Sequence, residues 1–205
     1  ILDVCIERDI RLIYLSSFEV YSGYRSSFLI ADESLPLLPK GPYGETKYLS
    51  EMMIEHSRRT QGLRCAILRS CSIYGPSNGR PKFIYNFIDK LKRSQPVVTH
   101  LYNNGLPSLD LLYIDDFVAV FLNMVKSNFS GNLNIGTGMT TSTQEIAEVL
   151  RNLVGGNSKI DEVLIDSDTA GIAMDARKAQ QIFGWEPTIN IEQGFRLVLE
   201  NLKNE

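Results

Sequence analysis

The 205-residue sequence has few of the features that mark an exported, membrane-bound or metal-binding protein. It contains three cysteines, Cys5, Cys65 and Cys71, and this odd number leaves a thiol outside any disulfide scheme. None of them stands at metal-ligand spacing with the two histidines. No apolar run reaches the roughly 18 residues of a membrane-spanning helix, and acids interrupt the first apolar residues, unlike a signal peptide. These absences predict a reduced, metal-free cytoplasmic protein.

The sequence also has little excess charge, because 21 Lys and Arg stand against 24 Asp and Glu for a formal net charge of −3. Charges of both signs are mixed along the chain, so no basic footprint for a nucleic acid or an anionic membrane is present. With 43% hydrophobic residues, the chain can form one substantial core, or one core and a small lobe. We therefore predict a globular protein that binds neither nucleic acid nor membrane.

Helical and strand patterns alternate in the first part of the chain. A helical pattern over residues 1–8 precedes the apolar run Leu12–Leu15, and the long helical segment Tyr43–Thr60 precedes a second apolar run, Cys65–Leu68. Helices that alternate with fully apolar strands indicate a parallel sheet covered on both faces. The polar, proline-containing stretch 18–42 is long enough to be a functional loop over a site.

The rest of the chain suits a smaller mixed lobe. Ser142 with Glu145 forms a capping box at the start of a helix. Apolar spacing predicts further helices at 83–91, 115–126 and 191–202 and short strands at 97–98, 110–113 and 133–135.

Tyr43 and Lys47 form the first pair that could do chemistry. They stand four residues apart near the start of a predicted helix, so their side chains share one face. An ammonium group beside a phenol favours the ionised phenol, which can act as a general base near neutral pH. The same spacing also arises by chance and then marks only an exposed helix pair.

Ser16 and Ser17 end the first apolar strand, at the edge of an open parallel sheet where ligands bind. A hydroxyl there could hold a substrate oxygen beside Tyr43, provided that the loop brings the next helix alongside. The alternative interpretation is that the two serines merely end the strand.

Six short motifs occur in order along the chain. They are YLSSFEVY at 14–21, PYGETK at 42–47, LRSCSIYGP at 68–76, YIDD at 113–116, NIG at 134–136 and FGWEP at 183–187. Together they resemble the extended short-chain dehydrogenase family of nucleotide-sugar epimerases, dehydratases and decarboxylases. The resemblance covers nearly the whole chain and implies an α/β fold: the C-terminal part of a doubly wound parallel, Rossmann-like sheet with a small mixed substrate lobe. On this basis we expect 1–78 to belong to the dinucleotide-binding domain and 79–205 mainly to the substrate lobe, with Leu109–Ile135 returning partly to the main sheet.

The resemblance implies a role for each matching residue. Tyr43 is similar to the acid or base of hydride transfer, and Lys47 to the residue that holds the nicotinamide ribose and tunes that tyrosine. Ser17 resembles the residue that hydrogen-bonds the reacting hydroxyl, Ser16 lines the cofactor side, and the backbone of Ser70 approaches the nicotinamide. The implied cofactor is NAD, with NADP not excluded, and the implied reaction passes through a keto sugar.

The family's glycine-rich turn, which receives the pyrophosphate at a helix N-terminus, has no counterpart in the sequence. Gly131, Gly136 and Gly138 come too late in the chain. Three alternatives follow: the chain is a fragment, a second polypeptide supplies the glycine-rich half, or the cofactor binds in another way.

Phe18 and Glu19 bear on the type of reaction. Dehydratases of the family have an Asp followed by Glu after the serine, and decarboxylases have a Ser before that Glu. Phe18 cannot protonate a leaving hydroxyl, so epimerases become the leading subclass, and Glu19 stays a substrate-binding candidate.

The family's diphosphate clamp is also altered. Leu109 stands where an Arg is usual, 166–168 places acids near the second Arg position, and Ser72 replaces the substrate-binding Asn. The remaining candidate anchors are Arg80, Lys82 and Lys92. A substrate without a diphosphate is therefore the other interpretation.

Three functional hypotheses remain open from the sequence. The first is an NAD-dependent epimerase-like oxidoreductase that acts on a sugar, with Tyr43, Lys47 and Ser17 as catalytic residues. The second is a non-catalytic binding or regulatory relative, and the third is a reductase of a non-nucleotide carbonyl compound. The resemblance also implies a homodimer through the helix Tyr43–Thr60, and a second chain that supplies the glycine-rich half is the alternative partner.

Overall fold

The computed structural model describes residues 1–76 and 83–202 as a mixed α/β protein. The helices are α1 (Leu2–Glu7), α2 (Pro42–Gln61), α3 (Phe83–Lys92), α4 (Ile114–Lys126), α5 (Thr143–Val154), α6 (Arg177–Phe183) and α7 (Ile191–Asn201), with a 3₁₀ helix, η1, at Phe18–Tyr21. The strands are β1 (Leu12–Ser17), β2 (Leu29–Ala31), β3 (Cys65–Ser70), β4 (Ser72–Tyr74), β5 (Val97–Tyr102), β6 (Ser108–Leu109), β7 (Leu111–Tyr113), β8 (Gly131–Ile135), β9 (Thr141–Ser142), β10 (Ile160–Ile165) and β11 (Ile172–Met174).

The main sheet is parallel and has the strand order β1-β3-β8. Both predicted apolar runs lie in it, and both strands continue beyond them to the polar residues Ser17 and Ser70, which pair with each other across the ladder. Its central strand β3 is buried from Cys65 to Arg69. A parallel central strand is covered on both faces, and here its alternate residues contribute to two different apolar clusters. The predicted α/β class with a covered parallel sheet is confirmed.

Helix α2 carries the predicted Tyr43 and Lys47 pair and begins and ends at glycines. Gly41 has φ 85° just before Pro42, and Gly62 adopts a left-handed conformation at the end of the helix. Proline is favoured in the first turn because its missing N–H would be unbonded there, and glycine is favoured where the backbone turns left-handed. The helix therefore extends one residue beyond the predicted range at each end.

The second part of the chain is built from two-stranded ladders and amphipathic helices. Strands β4 and β7, β5 and β10, and β2 and β11 form parallel pairs, and β6 pairs antiparallel with β9. Apolar faces of α3, α5 and α7 share one core with Tyr74 and Tyr113. The capping box predicted at Ser142 and Glu145 is present.

Strand β8 places part of the range Leu109–Ile135 in the main sheet, whereas β7 of the same range pairs with β4. The expected boundary between 78 and 79 lies outside the described residues, as do Arg80 and Lys82. The division into two domains stays a prediction.

Across 1–76 and 83–202 no helix is both long enough and apolar enough to cross a bilayer. Cys5, Cys65 and Cys71 are free thiols and all three are buried.

Candidate active site

A cavity of about 720 Å³ opens at the carboxyl ends of β1 and β3. Ligands bind at this edge of open parallel sheets, because the loops that follow the strands diverge there. The cavity is lined by five of the seven predicted site residues: Ser17, Glu19, Tyr43, Ser70 and Ser72. Lys47 and Ser16 complete the predicted set but are not part of the wall.

The Tyr43 side chain is 58% exposed in the first turn of α2, so a bound molecule can reach its hydroxyl. The Lys47 Nζ lies 5.7 Å from the centre of the Tyr43 ring and 5.0 Å from that of Tyr14. The same nitrogen donates a hydrogen bond of 2.7 Å to the carbonyl oxygen of Leu15. An ammonium group has three donors, so Lys47 can still donate to a second partner such as a ribose hydroxyl.

Ser17 and Ser70 meet at the end of the main sheet. Ser17 is buried and caps η1, since its Oγ accepts a hydrogen bond of 3.3 Å from the Glu19 N–H. The Ser17 hydroxyl proton is still available to a substrate oxygen. Ser17 and Tyr43 both line the cavity, and a hydrogen bond of both to one substrate oxygen stays a prediction.

Ser16 is buried, and its hydroxyl donates a 2.5 Å hydrogen bond to Oε1 of Glu51 on α2. The side chain therefore joins a strand to a helix. The predicted cofactor contact of Ser16 stays a prediction and would have to use its backbone.

A buried ion pair that the sequence did not reveal lies next to the cavity residue Ser70 in the chain. Glu51 and Arg69 are 1% and 4% exposed, and their closest atoms, Oε2 and Nη2, are 2.7 Å apart. Arg69 also donates from Nη1 to the Tyr21 hydroxyl at 2.7 Å. Burial acts to lower the pKa of Arg69, but the hydrogen bonds and charge of Glu51 outweigh it, so the pKa is raised. The spacing in the sequence could have revealed Glu51. It follows Lys47 by four residues, as Lys47 follows Tyr43, so all three side chains share one helix face.

Burial also raises the pKa of the Tyr21 phenol, although the charge of Arg69 acts in the opposite direction. Tyr21 therefore stays protonated and donates to the Asp32 carbonyl oxygen at 3.2 Å while it accepts from Arg69. These contacts leave the buried cluster hydrogen-bonded, as a charged pair in a protein interior requires.

The rest of the cavity wall is largely apolar and aromatic. Its members include Phe18, Ile73, Tyr74, Phe83, Tyr85, Leu109, Leu111 and Ile114. Within the described residues Glu19 is the one charged side chain in the wall. Lys92, a candidate anchor, lies at the exposed end of α3 and does not line the cavity.

The donor set fits a nicotinamide ribose and a sugar. An exposed phenol, an ammonium group with free donors and a serine hydroxyl converge where two parallel strands end, beside a cavity large enough for a small molecule. Such a set can hold a hydroxyl group and move its proton, while a bound nicotinamide would accept and return the hydride.

A parallel α/β sheet with a cavity at its carboxyl edge places the chain in the class of Rossmann-like proteins. The family model described as the NAD dependent epimerase/dehydratase family matches residues 1–136. The chain belongs to this family, and the recognition made from the six motifs is confirmed. The predicted NAD dependence is likewise that of the family.

Individual relatives agree with this assignment. A putative UDP-glucose 4-epimerase of Methanocaldococcus jannaschii is 30% identical over 100% of the chain and 67% of its own length. A dTDP-D-glucose 4,6-dehydratase of Bos taurus is 28% identical over 93% of the chain and 55% of its own length. The UDP-glucose 4-epimerase of Thermotoga maritima, solved with UDP-glucose, superposes with a TM-score of 0.85 at 27% identity, covering 99% of this chain and 67% of that one. This match confirms the Rossmann-like fold, and the chain spans between about half and two thirds of these relatives.

Proposed function

We propose that this protein is an NAD-dependent epimerase that acts on a nucleotide sugar through a keto intermediate. The observation that carries the proposal is the convergence of Tyr43, Lys47 and Ser17 beside one cavity. Family membership supports an enzyme of the epimerase/dehydratase type. The choice of epimerase and of substrate goes beyond that membership.

In the proposed mechanism, the ionised phenol oxygen of Tyr43 takes the proton of a sugar hydroxyl, and the resulting Tyr43 hydroxyl later returns it to the keto oxygen. Ser17 donates a hydrogen bond to the same sugar oxygen and so keeps it within reach of Tyr43. Lys47 stabilises the ionised phenol by its charge, and its free donors hold the nicotinamide ribose. When bound, NAD supplies the hydride acceptor at the sugar carbon.

Phe18 and Glu19 favour an epimerase over a dehydratase. Both residues line the cavity next to Ser17. An epimerase needs no acid at position 18, because no hydroxyl group leaves the sugar. Glu19 is proposed to accept a hydrogen bond from another sugar hydroxyl, and the Ser72 hydroxyl contributes a second polar contact.

The nucleotide-sugar substrate is proposed by analogy with the relatives whose names state such substrates. The aromatic wall suits a base or a sugar face, which stack on rings. No cation lines the described part of the cavity, so a substrate without diphosphate stays the second candidate.

A homodimer is the proposed assembly, with the outer side of α2 as its contact. Leu49, Met52 and Met53 are 60%, 40% and 63% exposed there, which is unusual for large apolar side chains grouped on one helix. A second chain that supplies a glycine-rich half is the alternative partner.

The proposal is tested by incubating the purified protein and NAD with UDP-glucose deuterated at C4, and with the dTDP-glucose analogue. An epimerase gives the C4 epimer with deuterium retained at C4, since the hydride returns to the same carbon. Release of a keto product with loss of water would indicate a dehydratase. Saturable binding of the nucleotide sugar without any product would instead support the non-catalytic relative.

A further inference from the structure

Helix α2 carries three polar residues on one face, and the third has no part in the mechanism above. Glu51 follows Lys47 by four residues and Tyr43 by eight, so the three side chains lie along one side of the helix. Its carboxylate accepts from Nε of Arg69 at 3.1 Å to each oxygen, from Nη2 at 2.7 Å and from Ser16 Oγ at 2.5 Å. These bonds attach the middle of α2 to two neighbouring strands.

Arg69 extends the connection to the other wall of the cavity. Its Nη1 donates to the hydroxyl of Tyr21, which belongs to η1 together with the cavity residues Phe18 and Glu19. One guanidinium group therefore contacts both α2, which carries the proposed acid or base, and η1, which follows the proposed substrate-binding Ser17.

Strand pairing in the main sheet holds the cluster of Glu51, Arg69, Ser16 and Tyr21 in place. Arg69 is paired across the ladders with Ser16 on β1 and with Asn134 on β8. Asn134 donates to the Ala31 carbonyl oxygen at 2.9 Å and lies 3.4 Å from the Tyr21 hydroxyl. The cluster thus spans all three strands, one residue before the row in which Ser17 and Ser70 meet.

Helices α2 and η1, which both contribute residues to the cavity wall, are closely packed against each other. A Cβ atom at Gly44 would lie 2.5 Å from the carbonyl oxygen of Glu19, so α2 and η1 touch through their backbones next to Tyr43. A small shift of either element would therefore change how Tyr43 faces Ser17. A buried ion pair is seldom needed for stability, because apolar residues of similar volume stabilise as well.

We propose that the Glu51–Arg69 pair is a positioning device that holds α2 and η1 at the spacing the Tyr43 and Ser17 groups need. Glu51, Arg69, Ser16 and Tyr21 are positioning residues and do not touch the reacting atoms. The catalytic consequence rests on the proposed function, whereas the structural consequence can be measured without it.

The first measurement is hydrogen–deuterium exchange of the Glu51→Gln variant, which keeps the shape of the side chain and removes its charge. We expect the amides of α2 and η1 to exchange at least about tenfold faster while those of α5 stay unchanged. The matched control is Thr188→Val, which removes a 2.8 Å hydrogen bond to Asp116 away from this cluster and should leave α2 and η1 unaffected. Equal acceleration in every element, or none in α2, would overturn the proposal.

The second measurement is steady-state kinetics of the same variant with UDP-glucose and NAD. We expect kcat to fall about tenfold or more, because small misplacements of a catalytic group are costly, while KM changes less than about threefold. In a Tyr43→Phe background, Glu51→Gln should cause no further loss, since both changes act through one group. Independent, multiplying losses would contradict a positioning role.

The two proposals fail in different ways. If Tyr43→Phe leaves turnover unchanged, or if neither UDP-glucose nor dTDP-glucose is converted, the proposed function fails and the exchange experiment still decides the positioning role. If Tyr43→Phe abolishes turnover but Glu51→Gln changes neither kcat nor exchange, the positioning role fails. Should Glu51→Gln not fold, Tyr21→Phe replaces it with the same expected pattern, because it removes one hydroxyl from the cluster and keeps the ring.

Discussion

The ammonium nitrogen of Lys47 lies 5.7 Å from the centre of the Tyr43 ring, one helical turn away on α2. The same nitrogen is held by the carbonyl oxygen of Leu15 at the end of β1. Lys47 therefore links α2 to β1. Its positive charge lies beside the Tyr43 ring even though the Tyr43 side chain is exposed to solvent.

Replacing Lys47 by Met keeps most of the length of the side chain and removes its charge and its donors. We expect turnover of a nucleotide sugar to fall about 10²-fold or more, because the ionised phenol loses its nearby cation. Affinity for NADH, measured by nicotinamide fluorescence, should fall as well, because the ribose loses a partner. Lys40→Met serves as a control on an exposed lysine, and a Lys47→Met enzyme with normal turnover would refute this role.

Gly44 allows α2 to touch η1. In Gly44→Ala the new methyl group would meet the Glu19 carbonyl oxygen at 2.5 Å, so one of the two backbones must move. We expect a loss of about 1–3 kcal/mol in the free energy of unfolding and a drop in turnover of at least about tenfold. Gly156→Ala is the matched control, since its new methyl group has no neighbour closer than 3.9 Å. Equal effects of the two substitutions in urea unfolding and turnover would show that the contact at Gly44 is unimportant.

Arg69→Met removes one half of the buried ion pair and leaves the Glu51 carboxylate without its partner. We expect a cost of about 3–5 kcal/mol in the free energy of unfolding, the usual result when a buried charge is left unpaired. The double variant Arg69→Met/Glu51→Leu should recover most of that stability, because two apolar side chains then face each other.

Turnover of these two variants distinguishes a role of the ion pair in stability from a role in positioning. The double variant is expected to stay at least about tenfold less active than the natural sequence even where it is fully folded. A double variant that regains both stability and turnover would mean that the pair serves the fold alone.

We expect the buried thiol of Cys65 to make the free energy of unfolding fall at alkaline pH. Burial raises the pKa of its thiol from 9.0 to about 11. Between these values the unfolded chain releases the proton and the folded chain keeps it, so the stabilisation is complete below pH 9.0 and is lost as the pH rises through about 11. Urea unfolding at several pH values should give a steeper decline for the natural sequence than for Cys65→Ala. Parallel declines would contradict the assignment.

Cys71 lines the cavity but is not expected to act as a nucleophile. Burial, together with the nearby Asp110 carboxylate, raises the pKa of its thiol well above the ordinary value. Thiolates are the reactive form, so a thiol reagent at pH 8 should modify the folded protein far more slowly than the unfolded one. Rapid labelling of Cys71 in the folded protein would show that the thiol is accessible and ionised.

The main sheet and the placement of Tyr43 and Lys47 on one helix face could be predicted because local patterns determine them. The apolar runs at Leu12–Leu15 and Cys65–Leu68 read as buried strands, and the spacing of Tyr43 and Lys47 places both on one helix face. Motif order then related Ser17 to the same site. These features depend on residues close together in the sequence.

The missed features depend on contacts between distant segments. Strand β10 carries acids and is mostly exposed. Its sequence therefore lacks the alternation of apolar and polar residues that would have predicted a strand paired with β5. Strands β2 and β11 have three residues each and form only because they pair with each other. Arg69 lies just beyond the predicted apolar run Cys65–Leu68, and its burial against Glu51 depends on how α2 packs on the sheet.

The central claim is that Tyr43, with Lys47 beside its ring, moves the proton of a sugar hydroxyl in a cavity that Tyr43 lines together with Ser17. The most direct test compares Tyr43→Phe with the natural sequence at saturating NAD and nucleotide sugar, with thermal unfolding as the check on folding. Tyr43 is largely exposed, so the account predicts unchanged stability together with a loss of turnover of about 10³-fold. Unchanged turnover in a folded Tyr43→Phe protein would contradict the account.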